Sequence, residues 1–554
     1  MQTTGIGSFL EVLHRSGISM VFGNPGTTEL PLNDAISGDS RFRYILGIHE
    51  VPVMAMADGY AMASGMPGVV NLHTACGLGN AMGMLFNAMQ SGTPLVVTAG
   101  QQDHRLLFDE PVLAGELVDV AKPWTKWAIE VPRAADMPNA IRRAIQIAMT
   151  PPMGPVFLSL PLNVQSDAIA DADVSGAWLP DVRLAPSVAR IQQAAQTILR
   201  AKNPLILAGS RVTEAGACEV LGQFAEVIGA PVLAECNTSH GRLPIAANHP
   251  LYAGPAPIWS PDVRQRLADH DLLIVVGMNL LRLYIHAEPS RPIPEGMPIV
   301  HLDSNPAEIG KNFPVEVGLW GDPRTGLEML IAELAPRLSR ELVQERRTRH
   351  EAAIAQQGTE FRGMLETHRD DSPMSPWTMM HAIAQVLPGD AAVIHEAPTG
   401  HRNVLEKLGV FRDPSGFFAP RGWALGWGVG AAVGVKLAWP HRPTVAILGD
   451  GSAMYGIQGL WSAAREQLPI VFIIGNNRQY RILRDCGVML KLDKLASPNC
   501  PGMDLNAPNI DFVGLAQSLG VSACRVNSPS ELQARLSAGL SGNSPLVIEV
   551  PLSE

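Results

Sequence analysis

The sequence predicts an α/β protein built from three doubly wound parallel-sheet domains. Three observations carry this reading. Short apolar runs alternate with helix-period segments, and the alternation starts afresh in each third of the chain. Runs such as 445–448 and 470–474 are apolar throughout rather than at every second residue, the pattern of strands buried on both faces. A chain of 554 residues exceeds what one core organises, so domains of roughly 150 to 200 residues are expected.

In the first third, 9–15 reads as a helix and 20–22 as a strand entering the turn Gly23-Asn24-Pro25-Gly26. A strand over 44–48 ends at His49-Glu50, and a helix follows over 53–63. The strand 68–72 runs into a loop over 73–80, then come a helix at 82–89 and strands at 94–99 and 156–160. A boundary falls in 166–186, where Asp, Ala, Ser and Pro replace periodic apolar residues. The middle third restarts the pattern with helix 191–199, strand 204–208, the turn Gly209-Ser210 and helix 217–228. Strands at 231–233, 272–277 and 299–303 complete it. The charged, helix-prone stretch 337–369 reads as a surface linker. Strands at 391–395, 445–448, 470–474 and 545–550, with a helix over 456–465, make up the last third. The domains are therefore expected at 1–170, 187–336 and 372–554.

Composition narrows the class of partner. A net charge of −10 disfavours nucleic acid or an anionic membrane surface as a main partner. The six cysteines (Cys76, Cys218, Cys236, Cys486, Cys500 and Cys524) lack CxxC spacing, which points to reduced thiols rather than a disulfide frame or zinc site. No basic start with a long apolar core opens the chain and no apolar run reaches about 18 residues. No signal peptide or transmembrane helix is expected, and a cytoplasmic location is.

The chemistry starts from 444–477, TVAILGDGSAMYGIQGLWSAAREQLPIVFIIGNN. A strand, the turn Gly449-Asp450-Gly451-Ser452, a helix and a second strand ending in Asn476-Asn477 form one unit. Parallel pairing sets Asp450 and Asn477 at the same sheet edge, where open α/β sheets bind ligands. A carboxylate and an amide oxygen suit a hard cation such as Mg²⁺, and the two glycines let backbone N–H groups approach a phosphate. Alone, Gly-Asp-Gly is also an ordinary strand-to-helix turn. Asn477, 27 positions after Asp450, makes the combination specific.

That spacing resembles the diphosphate–Mg²⁺ motif of the thiamine-diphosphate-dependent 2-oxo-acid decarboxylase family. Phe22 to Pro31 (FGNPGTTELP), Glu50 after YILGIH and Asn71 to Gly83 (NLHTACGLGNAMG) are similar to the cofactor-activating domain of that family, in its benzoylformate decarboxylase branch. The resemblance implies that Glu50 hydrogen-bonds the pyrimidine ring of thiamine diphosphate and drives its amino group to the imino form. It makes His73 a proton-transfer residue and sets Thr27 where a Ser binds the substrate carboxylate. Asn24 and Pro25 match the family turn, and His49 is expected to be structural. His286, after the strand 272–277, stands two residues out of register with a second active-site His, so an active-site and a chance placement stay open.

In the last domain, His395 to His401 (HEAPTGH) aligns with a diphosphate-contacting loop, with the Thr399 hydroxyl kept and Pro398 replacing a frequent hydroxyl residue. Gly422 to Gly434 resembles the segment that bends the cofactor, with Leu425 as the wedge and the Trp423 carbonyl facing the pyrimidine amino group. Asp450, Asn477 and the Gln479 carbonyl would ligate Mg²⁺, with Gly451 and Ser452 on the diphosphate. Ile482, Leu483 and Cys486 would line the substrate pocket, Cys486 in place of an aromatic.

The function implied is non-oxidative decarboxylation of a small-molecule, benzoylformate-like 2-oxo acid to an aldehyde and CO₂. An acetolactate-synthase-like carboligase and a silent cofactor-binding regulator are the other readings. Family members share their site between subunits, which implies self-association as a homodimer or homotetramer.

Overall fold

The computed structural model describes residues 3–236, 241–397, 399, 403–496 and 500–553. Its strands in chain order are β1 (Thr3–Thr4), β2 (Met20–Gly23), β3 (Arg43–Leu46), β4 (Gly68–Leu72), β5 (Leu95–Gln101), β6 (Ala128–Glu130), β7 (Val156–Pro161) and β8 (Ala168–Ile169). The middle third supplies β9 (Pro204–Ala208), β10 (Val232–Ala234), β11 (Tyr252–Pro255), β12 (Leu272–Val276), β13 (Ile299–Asp303) and β14 (Val317–Trp320). The last third supplies β15 (Ala392–Glu396), β16 (Phe417–Phe418), β17 (Thr444–Gly449), β18 (Ile470–Asn476), β19 (Ser522–Arg525) and β20 (Leu546–Pro551).

They form three six-stranded sheets, ordered β3-β2-β4-β5-β7-β6, β11-β10-β9-β12-β13-β14 and β16-β15-β17-β18-β20-β19. Neighbours in these sheets are parallel throughout, and the short β1–β8 pair is antiparallel. Counted within each sheet, the first and last share the order 2-1-3-4-6-5, while the middle one runs 3-2-1-4-5-6. In the two matching sheets the chain reverses direction between the first and third strands. Ligands of open α/β sheets bind in the crevice at that reversal.

Central strands are the ones the sequence reveals, because burial on both faces leaves them mostly apolar: β4, β5, β7, β9, β12, β13 and β15 are buried at every position. The strands that reading misses are the two-residue β1 and β8 and the edge strands β6, β11, β14, β16 and β19, most of them part-exposed or very short. The expected loop at 73–80 is instead the start of the helix Thr74–Ser91. Its glycines lower helix propensity, but Leu78, Ala81, Met84, Leu85 and Ala88 are buried, and packing overrides propensity. Likewise the expected linker at 337–369 is one helix, Arg340–Thr367, capped by the Ser339 side chain. It is moored by Arg346, only 1% exposed, which donates to the carbonyls of Lys202, Ile228 and Ala201. The helix expected over 456–465 forms over Gly459–Arg465, and a further short helix, Asp450–Met454, begins within the expected turn 449–452.

The first and last sheets meet through the helices Glu50–Ser64 and Trp427–Ala438. These lie so close that a Cβ on Gly430 would stand 2.6 Å from the Pro52 carbonyl oxygen, and one on Gly434 would run into the Met56 carbonyl. Glycine is there for close approach. Across this seam the Trp427 indole donates to Asp58 Oδ2 at 2.7 Å. Burial pushes the Asp58 carboxyl up to about 6, from an ordinary 3.8. The folded chain therefore holds this proton where the unfolded chain has lost it, and stability falls as pH rises through about 6. Asp58→Asn keeps an acceptor for Trp427 and removes that loss. It is expected to raise stability at pH 7 by on the order of 3 kcal/mol and to flatten the wild-type decline in thermal midpoint between about pH 4 and pH 7.

Candidate active site

Two groups of predicted residues form, one at the reversal point of each matching sheet. In the first, Asn24 follows β2 and His73 follows β4. Glu50 is not the end of a strand but the first residue of the helix Glu50–Ser64. Its carboxylate therefore sits in the favourable field of a helix N-terminus, while the His49 side chain caps that helix by accepting from the Val51 N–H at 3.1 Å. Glu50 is 6% exposed. Its Oε1 accepts from Asn24 Nδ2 and its Oε2 from Asn80 Nδ2, both at 3.0 Å. Two neutral amides hold the carboxylate still without neutralising it.

His73 stands beside a residue the sequence did not single out. Its Nδ1 lies 2.8 Å from Glu29 Oε2 and 3.2 Å from Thr28 Oγ1. Glu29 is only 1% exposed and also accepts from the N–H groups of Gly26 and Gly100, at 2.9 and 2.8 Å. The Thr28 hydroxyl donates to Glu29 Oε1 at 2.8 Å. Because that hydroxyl hydrogen is spent on Glu29, the Nδ1 of His73 must carry the hydrogen shared with Glu29, and Nε2 is left to face the site. The next residue, Thr74, has φ of +43°, an uncommon conformation for a β-branched residue and a strain that fixes where His73 leaves the strand. Thr27 and Pro25 are exposed on the same edge. Nothing local in the sequence separates Glu29 from an ordinary helix-start carboxylate; the signal would have been a buried Glu within the turn that follows β2.

The second group surrounds a cavity at the edge of the last sheet. Of the predicted residues, Thr399, Leu425, Asp450, Gly451, Ser452, Asn477, Gln479 and Ile482 all line it. The reason is the register: β17 pairs with β18 in parallel up to Gly449 opposite Gly475, so Asp450 and Asn477 emerge side by side. Asp450 is 4% exposed, and accepts from the Gly451 N–H at 2.7 Å and the Arg478 N–H at 2.6 Å. Burial raises its carboxyl above the ordinary range, and backbone N–H groups offset only part of this. A cation is what such a carboxylate lacks. With the Asn477 amide and the Gln479 carbonyl beside it, the oxygen set fits a hard divalent ion. Pro398 lies outside the described residues.

Two predicted pocket residues and one predicted catalytic residue lie outside the lining of this cavity. Leu483, 41% exposed, and Cys486 follow Ile482 on the helix Arg481–Met489, beyond the lining of the cavity. The His286 side chain is 74% exposed and pairs with Glu288 across 3.4 Å. The structure thus sets His286 in a solvated contact with Glu288 on the middle sheet. The loop that carries it lies between β12 and β13 of the middle sheet, whereas His73 lies at the edge of the first.

Family models match the chain in three successive stretches. The thiamine pyrophosphate enzyme N-terminal TPP binding domain matches residues 3–112, the central domain 191–330 and the C-terminal TPP binding domain 400–550. A benzoylformate decarboxylase of Pseudomonas aeruginosa is 36% identical, covering 100% of this chain and 99% of its own. A glyoxylate carboligase of Escherichia coli O157:H7 is 28% identical over 94% of this chain and 88% of its own. Among solved structures, the 4-hydroxybenzoylformate decarboxylase of Rhodococcus jostii RHA1 superposes with a TM-score of 0.86 at 30% identity, covering 100% of this chain and 99% of its own. The benzoylformate decarboxylase of Polynucleobacter necessarius gives 0.87 at 29%, covering 99% and 98%. Three family models in the right order, and likeness along the whole chain, leave one conclusion: this chain belongs to the thiamine pyrophosphate enzymes.

Proposed function

We propose that the chain is a non-oxidative decarboxylase of a benzoylformate-like 2-oxo acid, releasing an aldehyde and CO₂. The observation that carries this reading is the His73–Glu29 pair next to Glu50, because an oriented imidazole at that edge can deliver a proton to the carbon that has lost CO₂. Full-length likeness to benzoylformate decarboxylases supports it.

When bound, thiamine diphosphate supplies the electron sink for the pair released with CO₂. The cavity at Asp450 fits its diphosphate end. Gly451 would lie against the diphosphate and the hydroxyls of Ser452 and Thr399 would donate to its oxygens, while Asp450, Asn477 and the Gln479 carbonyl would hold Mg²⁺. Leu425 would pack beneath the rings, and the Trp423 carbonyl would accept from the pyrimidine amino group. Glu50, steadied by Asn24 and Asn80, would exchange a proton at the pyrimidine ring nitrogen. His73 would take up a proton at Nε2 and pass it on, while Glu29 holds the Nδ1 hydrogen and steadies the charged ring. Thr27 would donate to the substrate carboxylate beside Asn24 and Pro25. Ile482, Leu483 and Cys486 would close an apolar wall, and substituting there shifts preference among 2-oxo acids by about 1–3 kcal/mol per methylene. His286 receives no role in this reading.

The cavity at Asp450 is lined by residues between 376 and 552 alone, while the partners of Glu50 and His73 come from residues 24–100. We therefore propose a homodimer or homotetramer in which one copy contributes each half. Residues 1–170, 187–336 and 372–554 are the proposed domains, for pyrimidine binding, the middle sheet, and diphosphate and Mg²⁺.

The likeness to a glyoxylate carboligase favours a second reading, in which a second 2-oxo acid rather than a proton is joined to the product. Chromatography after incubation with benzoylformate, with pyruvate and with glyoxylate decides. Aldehyde from benzoylformate is expected; acetolactate or another joined acid without free aldehyde overturns the proposal. Glu29→Gln is expected to lower kcat by about tenfold or more with little change in KM, since a hydrogen bond to a charged partner is worth about 1.5–3 kcal/mol. Steady-state kinetics on the purified variant check this, and an unchanged kcat removes Glu29 from the mechanism.

A further inference from the structure

The segment between β16 and the helix Trp427–Ala438 has no regular structure of its own. Trp423 has φ of +60° and Gly426 of +99°. A tryptophan in the left-handed region persists only where its surroundings over-determine it. Two buried side chains do so here, from opposite sides of Leu425.

On one side is Asn87, fully buried on the helix Thr74–Ser91. Its Nδ2 donates to the Ala424 carbonyl at 2.8 Å, and its Oδ1 accepts from the Ala424 N–H at 3.1 Å. The amide thus reads both edges of one residue, as a neighbouring strand would, and this pairing settles which end is oxygen. Approach is close enough that a Cβ on Gly422 would stand 2.8 Å from the Asn87 Cα. On the other side is Glu396, 2% exposed, whose carboxylate accepts from the N–H groups of Gly426, Trp427 and Gly428 at 2.9, 3.0 and 2.8 Å. Leu425 sits between the two clamps and lines the Asp450 cavity.

We propose that Asn87 is a positioning residue for the cofactor, and that Glu396 completes the frame. Asn87 holds Ala424, and through it aims the Trp423 carbonyl and the Leu425 side chain into the cavity. This rests on the reading of that cavity as a thiamine diphosphate site. Asn87 and Ala424 are 337 residues apart and come from different sheets, so the frame exists only when the first and last sheets dock. The helix that carries Asn87 begins beside His73, about 21 Å away along its axis. One rigid element therefore places a proton-transfer residue at one end and the cofactor-bending segment at the other.

The test compares wild type, Asn87→Asp and Asn87→Leu in the full-length protein. Asp sets a carboxylate oxygen against the Ala424 carbonyl; Leu removes both hydrogen bonds at similar volume. Thiamine diphosphate binding is read by quenching of tryptophan fluorescence at saturating Mg²⁺, alongside kcat and KM at saturating cofactor. Cofactor affinity is expected to fall by about 10- to 100-fold and kcat by about tenfold, with KM for the 2-oxo acid within about twofold, because the substrate-side groups are untouched. A merely structural role would lower the thermal midpoint of the apo-protein and leave affinity and kcat per folded molecule unchanged, and that result overturns the proposal. Should Asn87→Leu be recovered unfolded, Asn87→Ser decides by the same titration, since a water fits where the amide was. If wild type itself does not bind thiamine diphosphate with Mg²⁺, the reading of the cavity fails. If wild type binds and the Asn87 variants match it, only the positioning role does.

Discussion

Glu50→Gln is expected to lower kcat by about 10³-fold or more while Mg²⁺-dependent binding of thiamine diphosphate survives. Gln keeps the shape of Glu50 but cannot exchange a proton at the pyrimidine ring nitrogen. It also conflicts with its partners. Both carboxylate oxygens accept from side-chain amide N–H groups, those of Asn24 and Asn80, so a Gln must turn its own NH₂ towards one of them. That donor-to-donor clash displaces the residue as well as disarming it. The cavity proposed for the diphosphate lies at the edge of another sheet, so binding there is not expected to depend on this carboxylate. Steady-state decarboxylation with a parallel fluorescence titration separates the two. Loss of binding with Glu50→Gln would mean an anchoring residue rather than a proton-transfer one, and an unchanged kcat would mean neither.

Asp450→Ala is expected to abolish turnover by the opposite route, weakening thiamine diphosphate binding by about 100-fold or more at any attainable Mg²⁺. The substitution removes the carboxylate from the proposed metal ligands and leaves the amide of Asn477 and the carbonyl of Gln479 with no countercharge for a divalent ion. It is not expected to unfold the apo-protein. Burial already works against the charge on Asp450, so its removal relieves a cost. Thermal unfolding reads both effects together. Ligand that binds only the folded state at 100 times its Kd stabilises it by about 2.7 kcal/mol. That cofactor-dependent rise in midpoint should be present in wild type and in Glu50→Gln, and absent in Asp450→Ala. A cofactor-dependent rise that persists in Asp450→Ala would sink the assignment of the metal site.

These expectations use residues that a reading of the sequence already names, and the physical reason is locality. Asp450 and Asn477 lie at the ends of adjacent parallel strands joined by a single crossover, so their spacing along the chain fixes their spacing in space. The buried strands were legible because burial on both faces leaves a continuous apolar run. Where a residue's role depends on partners distant in sequence, the same reading fell silent. Glu29 orients His73 across 44 residues, Asn80 steadies Glu50 across 30, and Asn87 grips Ala424 across 337. Edge strands such as β6 and β19 are illegible because half-exposed residues carry no continuous pattern. The helix Arg340–Thr367 reads as a linker in the sequence because its charged surface conceals the few buried residues that moor it.

The sequence by itself therefore determined the fold class and the meeting of Asp450 with Asn477 at the ends of two successive buried strands. Both are written in short stretches whose geometry is set by neighbours along the chain, whereas the role proposed for Glu50 comes from resemblance to a known family. Only the tertiary structure decided that the first and last sheets share one strand order and carry their half-sites at the same reversal point. It alone showed that His73 is backed by a buried carboxylate, and that His286 stands in solvent. Sheet order and side-chain pairing arise from packing between segments hundreds of residues apart, and no local pattern of residues records which segments will meet.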